Sequence, residues 1–212
     1  MSAELPLQRH ELAGVILAGG LSRRMGGGDK GLLALDAHPM LAHVVARLRP
    51  QLPLLAINAN GDPARFAAFG LPVIADAGSE REGPLAGVLA GLTWARTQSG
   101  VRAIVTAASD TPFLPLDLVP RLLQPAAPLA VAESHGHVHP TVALWPLSLA
   151  DDIQLALAEG RRQAMAFVEG AHARLVPFAP LEISGQSVDP FFNANTPADL
   201  DWARRVLQSS RS

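Results

Sequence analysis

In the first half of the chain, short apolar runs alternate with stretches whose apolar residues recur at helical spacing. Val15–Leu17, Leu54–Ile57, Val73–Ala75 and Ala103–Ala107 have strand length, and each is soon followed by glycine or a polar residue. Met40, Leu41, Val44, Val45 and Leu48 share one helical face behind Pro39, which sits at a favoured first-turn position. Pro63–Phe69 predicts a short helix. Pro84 opens a further helix carrying Leu85, Val88, Leu89 and Leu92, and Leu116–Leu123 also reads as helical. Such β-α-β-α alternation predicts a mostly parallel sheet covered on both faces. The second half is less regular. Leu129–Ala132 and Thr141–Leu144 flank a polar stretch from Glu133 to His139 and predict an antiparallel hairpin at a sheet edge. Leu147–Ala158 and Gln163–Val168 read as helices and Arg174–Phe178 as a strand. Pro197–Leu207 reads as a closing helix with Thr196 as its N-cap. The expected class is α/β, a Rossmann-like doubly wound sheet with a small antiparallel edge hairpin. No repeat, low-complexity segment or linker divides the 212 residues, so residues 1–212 are expected to form one domain, with 1–11 flexible.

Composition narrows the chemistry. The chain is 49% hydrophobic and 17% charged, which suits a globular protein with a full core. Its formal net charge of −2 argues against nucleic acid as the main partner. It contains no Cys, which removes disulfides, thiolate nucleophiles and Cys-based zinc sites. Met1 to His10 lack the apolar segment of a signal peptide. No apolar run approaches the roughly 18 residues of a membrane span. A cytoplasmic protein with no membrane partner is expected.

The chemistry concentrates where strands end. Val15–Leu17 runs into Gly19-Gly20, Arg23-Arg24, Gly26-Gly27-Gly28 and Asp29-Lys30-Gly31. Glycines let the backbone approach a ligand closely, and successive N–H groups then cradle an anion. Arg23, Arg24 and Lys30 add positive charge suited to a polyphosphate. Asn58, Asp76 and Asp110 also follow predicted strands, and in open α/β sheets ligands bind beyond those ends. Asp110, two residues before Pro112, reads either as an Asx-turn residue or as a Mg²⁺ ligand beside substrate phosphates. The glycine loop favours the metal. Asp76 has the same two readings. His135, His137 and His139 alternate as metal ligands do, yet Gly136 lies among them and no acidic or Cys partner has clear spacing. An exposed hairpin tip is the simpler reading. Asn193 and Asn195, next to Phe191-Phe192, either order a loop or reach phosphate or metal.

Two familiar loops are excluded. Gly26, Gly28 and Gly31 match G-x-G-x-x-G, but the match starts nine residues after Leu17, and the next strand ends in Asn58 rather than an acidic residue. Walker A needs Ser or Thr after its lysine, and Lys30 is followed by Gly31.

The pattern L-A-G-G-x-S-x-R-M-G-x-x-x-K resembles the signature of nucleotidyltransferases that join a nucleoside monophosphate to a phosphorylated acceptor. Its form here is similar to that of the molybdenum cofactor guanylyltransferase (MobA) family. Five further blocks extend the resemblance from Gly14 to about Trp202 in family order: Asn58-Ala59-Asn60, Gly83-Pro84-Leu85-Ala86-Gly87, Asp110-Thr111-Pro112, His139-Pro140-Thr141, and Asn193-x-Asn195-Thr196-Pro197. The resemblance implies a nucleotide-diphospho-sugar transferase-like fold and transfer of GMP from GTP to molybdopterin, with release of pyrophosphate. It implies that Leu17, Ala18 and Gly19 contact guanine, and that Asn58 and Asp76 lie on the nucleoside side. Lys30, with Arg24, would hold phosphates, and Asp110 would bind Mg²⁺. Gly83 and Gly87 would let backbone approach substrate, and Asn193 and Asn195 would lie near the acceptor or the phosphates. The family's Arg pair after a glycine falls near Gly160-Arg161-Arg162 with its register slipped by one, making Arg162 the implied counterpart. A monomer with transient contacts to molybdoenzymes or their chaperones is expected. The rivals are a cytidylyltransferase or sugar-phosphate nucleotidyltransferase of the same fold, and a GTP-binding regulator without chemistry.

Overall fold

A seven-stranded sheet with strand order β3-β2-β1-β4-β6-β5-β7 forms the centre of the molecule. The computed structural model describes residues 6–19, 29–76, 78, 83–124 and 129–209. Strand β1 (Leu12–Leu17) pairs in parallel with β2 (Leu54–Asn58) and β4 (Ala103–Ala108), and β2 pairs in parallel with β3 (Val73–Ile74). Side chains alternate between the faces, as a two-residue period requires. Leu12 and Ile16 pack on one face with α1 (Met40–Leu48) and α3 (Leu118–Leu123). Ala13, Val15 and Leu17 pack on the other with α2 (Pro84–Ala95), α4 (Ala150–Ala158) and α5 (Ala164–Gly170). The β1 strand is longer than its expected Val15–Leu17 core because Leu12 and Ala13 are equally buried.

The expected hairpin is present as β5 (Ala130–Ser134) and β6 (His137–Pro146), joined at His135-Gly136. Both turn residues have positive φ, 50° and 74°, as the tight hairpin turn matching strand twist requires. The pair stands one strand in from the edge. β6 pairs antiparallel with β4, and β7 (Arg174–Pro177) adds in parallel outside β5. The physical reason is burial: Ala130, Val131 and Ala132 of β5 are fully buried, so that strand needs a neighbour on its outer side as well.

A second hairpin, β8 (Leu181–Ile183) and β9 (Gln186–Val188), turns at Ser184-Gly185 and is absent from the expectations above. It packs with α6 (Pro197–Ser209) in a third cluster. There Val188, Leu200, Ala203 and Val206 meet Leu35, Met40 and Phe113, which lie just after the Lys30 and Asp110 segments. The C-terminal unit therefore closes over the carboxyl ends of the parallel strands. Among the described residues, no helix is long and apolar enough to cross a membrane.

Candidate active site

Three strands end in register. Leu17 stands beside Asn58 on one side and Ala108 on the other, so the segments that follow them emerge at one rim. A cavity of about 320 Å³ opens there, within the range of small-molecule sites. Leu17, Gly19, Asn58 and Asp76 line its β1–β3 side. Lys30, Asp110 and Asn193 line its middle and far side, with Gly83 and Pro84 at the start of α2. Thr141, to which no role was given above, lines it as well.

Lys30 connects three segments far apart in sequence. Its Nζ donates to an Asp110 carboxylate oxygen and, at 2.5 Å, to Asn195 Oδ1. Both side chains of the ion pair are largely shielded, at 12% and 17% exposed, so little solvent screens them. The backbone N–H groups of Asn195 and Thr196 donate to Asp199 Oδ2, and the Asp199 N–H donates to Thr196 Oγ1. This reciprocal cap begins α6 as expected and fixes Asn195 just before the helix. Gly31 follows Lys30 because a Cβ there would lie 2.7 Å from Ser109 Cβ. The Lys30 turn thus lies directly against the β4 turn.

The β2–β3 side of the rim is built around Asp76. Its carboxylate accepts from Asn58 Nδ2 at 2.8 Å and from Asn60 Nδ2 at 2.9 Å, and its own N–H donates to Asn60 Oδ1 at 2.9 Å. Asn60 is thus a structural partner for Asp76 that the sequence reading left without a role. Its clue was the paired amides of Asn58-Ala59-Asn60. Asp29 is ion-paired with Arg65. Arg65 also donates to the carbonyl of Asn60 and, at 2.9 Å, to that of Asp62. That pair ties the exit of the glycine loop to the Asn60 turn.

The remaining candidates are placed as follows. Ala18 is buried, and its N–H donates to the Asn58 carbonyl at 2.8 Å. Gly87 packs behind Asn58, where a Cβ would come within 2.3 Å of Asn58 Oδ1. Arg162 is exposed, and its carbonyl lies 3.3 Å from where a Cβ on Gly83 would stand. Arg161, by contrast, is engaged by Glu159. Arg24 lies outside the described residues, as do Gly20, Arg23 and Gly26-Gly27-Gly28. Of the three histidines, His135 and His137 are exposed, but His139 is turned inward against Phe191 at 4.8 Å between ring centroids. His139 is therefore not part of an exposed tip.

A lysine shared by Asp110 and Asn195, an acidic residue after β4 and an amide-buttressed carboxylate after β3 share one rim, an arrangement suited to an α/β nucleotide-binding transferase. The chain belongs to the MobA-like NTP transferase family, whose domain model matches residues 14–175. It is 49% identical over 209 residues to the molybdenum cofactor guanylyltransferase of Mesorhizobium japonicum, covering 96% of this chain and 100% of the relative. A Rhodopseudomonas palustris protein of the same name is 50% identical over 98% of this chain and 100% of its own length. Solved structures share the fold. The molybdopterin-guanine dinucleotide biosynthesis protein A of Archaeoglobus fulgidus superposes with a TM-score of 0.68 at 21% identity, covering 92% of this chain and 98% of that one. A CMP:2-keto-3-deoxy-manno-octonic acid synthetase solved with CTP gives 0.69 at 15% identity, covering 93% and 98%.

Proposed function

We propose that this chain is a molybdenum cofactor guanylyltransferase, moving GMP from GTP to the terminal phosphate of molybdopterin and releasing pyrophosphate. The observation that carries the reading is the convergence of Lys30, Asp110 and Asn195 at the end of β1 and β4, in a chain about half identical to enzymes of that name over their full length.

The reaction asks for positioning and charge neutralisation more than covalent chemistry. An oxygen of the acceptor phosphate attacks the α-phosphorus of GTP in line. The new P–O bond forms as the bond from the α-phosphorus to the bridging oxygen breaks, and that electron pair leaves with pyrophosphate. A phosphate nucleophile is already ionised near neutral pH, so no residue is needed as general base. Lys30 is placed to exchange Asp110 and Asn195 for phosphate oxygens and to hold the leaving pyrophosphate. Asp76, steadied by Asn58 and Asn60, presents a carboxylate on the nucleoside side. Asn193 and Asn195 serve the acceptor or the phosphates, Asn195 through its bond to Lys30, with Arg162 beside Gly83 and Arg24 as a further phosphate cation.

The residues suit Mg²⁺. Among the described residues no cluster of three or more His, Asp or Glu is arranged for a metal. A single carboxylate at Asp110 matches an ion that takes most of its ligands from substrate phosphates and water. Bound there, Mg²⁺ would neutralise charge developing on the phosphates.

The test is pyrophosphate release from GTP, CTP and ATP, each with Mg²⁺ and molybdopterin and with no-acceptor controls. Release with GTP alone, dependent on the pterin, is expected. Release with CTP would change the base, and nucleotide binding with no release would favour a regulator. Asp110→Ala is expected to lower turnover by a factor of at least about 10² while leaving the thermal transition in place. Retained turnover would remove the metal from Asp110.

A further inference from the structure

The Thr141 side of the cavity hangs from a polar chain that the mechanism above does not use. Ser134 is 2% exposed, and its hydroxyl lies 2.8 Å from His139 Nε2 and 2.7 Å from Asp189 Oδ1. A hydroxyl has one proton, and a carboxylate only accepts. Ser134 therefore donates to Asp189, and His139 Nε2 must donate to Ser134. The same Asp189 oxygen accepts the Phe191 N–H at 2.9 Å. The order is opposite to that of a nucleophile relay, in which the imidazole would accept the serine proton. The cluster is a strut.

It braces two segments at once. On β6, His139 pairs with Ala132 while Ala143 pairs with Val131, so Pro140, Thr141 and Val142 have no counterparts on β5. Such extra residues form a bulge, which re-aims side chains near active sites. Thr141 faces the cavity. On the other side, Asp189 anchors the stretch leading to Asn193, and the Ala194 N–H donates to the Asp110 carbonyl at 3.4 Å. Sheet order separates the two halves of the cavity. Asn58 and Asp76 follow β2 and β3, Asp110 follows the central β4, and Thr141 stands on β6 beyond it. A nucleotide seated over β1–β3 with its phosphates at Lys30 and Asp110 leaves the Thr141–Asn193 side for the acceptor.

Resting on the guanylyltransferase reading, we infer that Thr141 binds the acceptor, its hydroxyl donating to the acceptor's phosphate. Ser134, His139 and Asp189 are positioning residues that hold Thr141 and Asn193 against it.

The test separates the two substrates. GTP affinity is measured by calorimetry with Mg²⁺ and no acceptor, and KM for molybdopterin is measured anaerobically at saturating GTP. Thr141→Val is expected to raise the molybdopterin KM about tenfold or more, as loss of a hydrogen bond to a charged group does, with GTP affinity within twofold of wild type. Thr141→Ser restores the hydroxyl and should restore KM. Ser134→Ala should raise the same KM and leave GTP affinity alone. Combined with Thr141→Val it should add less than its separate effect, because it acts partly through that residue. If Ser134→Ala fails to fold, the Thr141 pair still decides. An unchanged molybdopterin KM in Thr141→Val overturns this inference and leaves the functional reading standing. Parallel losses of GTP affinity and acceptor KM overturn it as well. A wild-type chain that neither binds nor guanylylates molybdopterin overturns both.

Discussion

Lys30 pairs with an oxygen of the carboxylate proposed to hold the metal, Asp110. Its ammonium already neutralises that carboxylate, so a divalent cation arriving alone must displace a largely shielded charge pair. Nucleotide phosphates relieve the conflict by offering Lys30 other oxygens. Mn²⁺ alone is thus expected to bind weakly to the wild type and more tightly to Lys30→Met, while GTP affinity of that variant falls about tenfold or more. Electron paramagnetic resonance of free Mn²⁺, with and without GTP, reads this directly. Equal Mn²⁺ binding by the two proteins would place the metal away from Asp110. Asp76 makes a parallel demand. Asn60→Ala removes both the donor to its carboxylate and the acceptor for its N–H, which is expected to cost about 1–3 kcal/mol in urea unfolding. No loss would mean that water replaces the amide freely. Glycine spacing and strand ends made Lys30, Asp76 and Asp110 legible in the sequence. The Asn60–Asp76 and Ser134–Asp189 pairs were not, because their members lie 16 and 55 residues apart and only the fold brings them together.

Among the elements, the parallel half could be read because each strand is a short apolar run and each intervening helix shows an apolar face. The length of β6 could not. Its first residues, His137-Val138-His139, look like a polar loop, and they become strand because His139 bonds Ser134, which Asp189 holds in turn. The β8–β9 hairpin carried a signal that went unused: Ser184-Gly185 between Leu181, Ile183 and Val188 is a two-residue turn with alternating apolar flanks. Helix α2 shows how packing sets the site from behind. Its glycine at position 87 lets the helix close on Asn58, and an added methyl would meet Asn58 Oδ1 at 2.3 Å. Gly87→Ala is expected to push that amide off Asp76, destabilise the protein by about 1–3 kcal/mol, and weaken GTP binding more than acceptor binding. Equal KM values for wild type and Gly87→Ala would show that Asn58 does not communicate with the nucleoside side.

At the scale of the molecule, the parallel strands give the protein two rims, and each carries a group whose ionisation folding has shifted. At the rim opposite the site, the Gln8 N–H donates to Glu11 at 2.8 Å and holds its carboxyl below the usual 4.5, aided by Arg102. At the site rim, burial holds the His139 imidazole below its usual 6.5. His137 lowers it further, while Asp189 and Glu133 oppose. For Glu11 the folded state favours the charged form. That stability is present above the unfolded value and lost as pH falls below about 4.5 towards the folded one. For His139 the folded state favours the neutral form. Above about pH 6.5 both states are neutral and nothing is lost. As pH falls below it, the unfolded chain takes up a proton that the folded one resists, and stability drops. Acid should therefore weaken the fold in two stages, first through the His139 strut at the site rim and then through the far rim. Urea unfolding between pH 4 and 8 would show this as a decline beginning near 6.5 that steepens below 4.5. In His139→Gln the first stage should flatten while the second remains, and in Glu11→Gln the reverse should hold. A His139→Gln profile parallel to wild type between pH 5 and 7 would mean that the imidazole titrates as freely in the fold as out of it, and that the strut beneath Thr141 tolerates a charge.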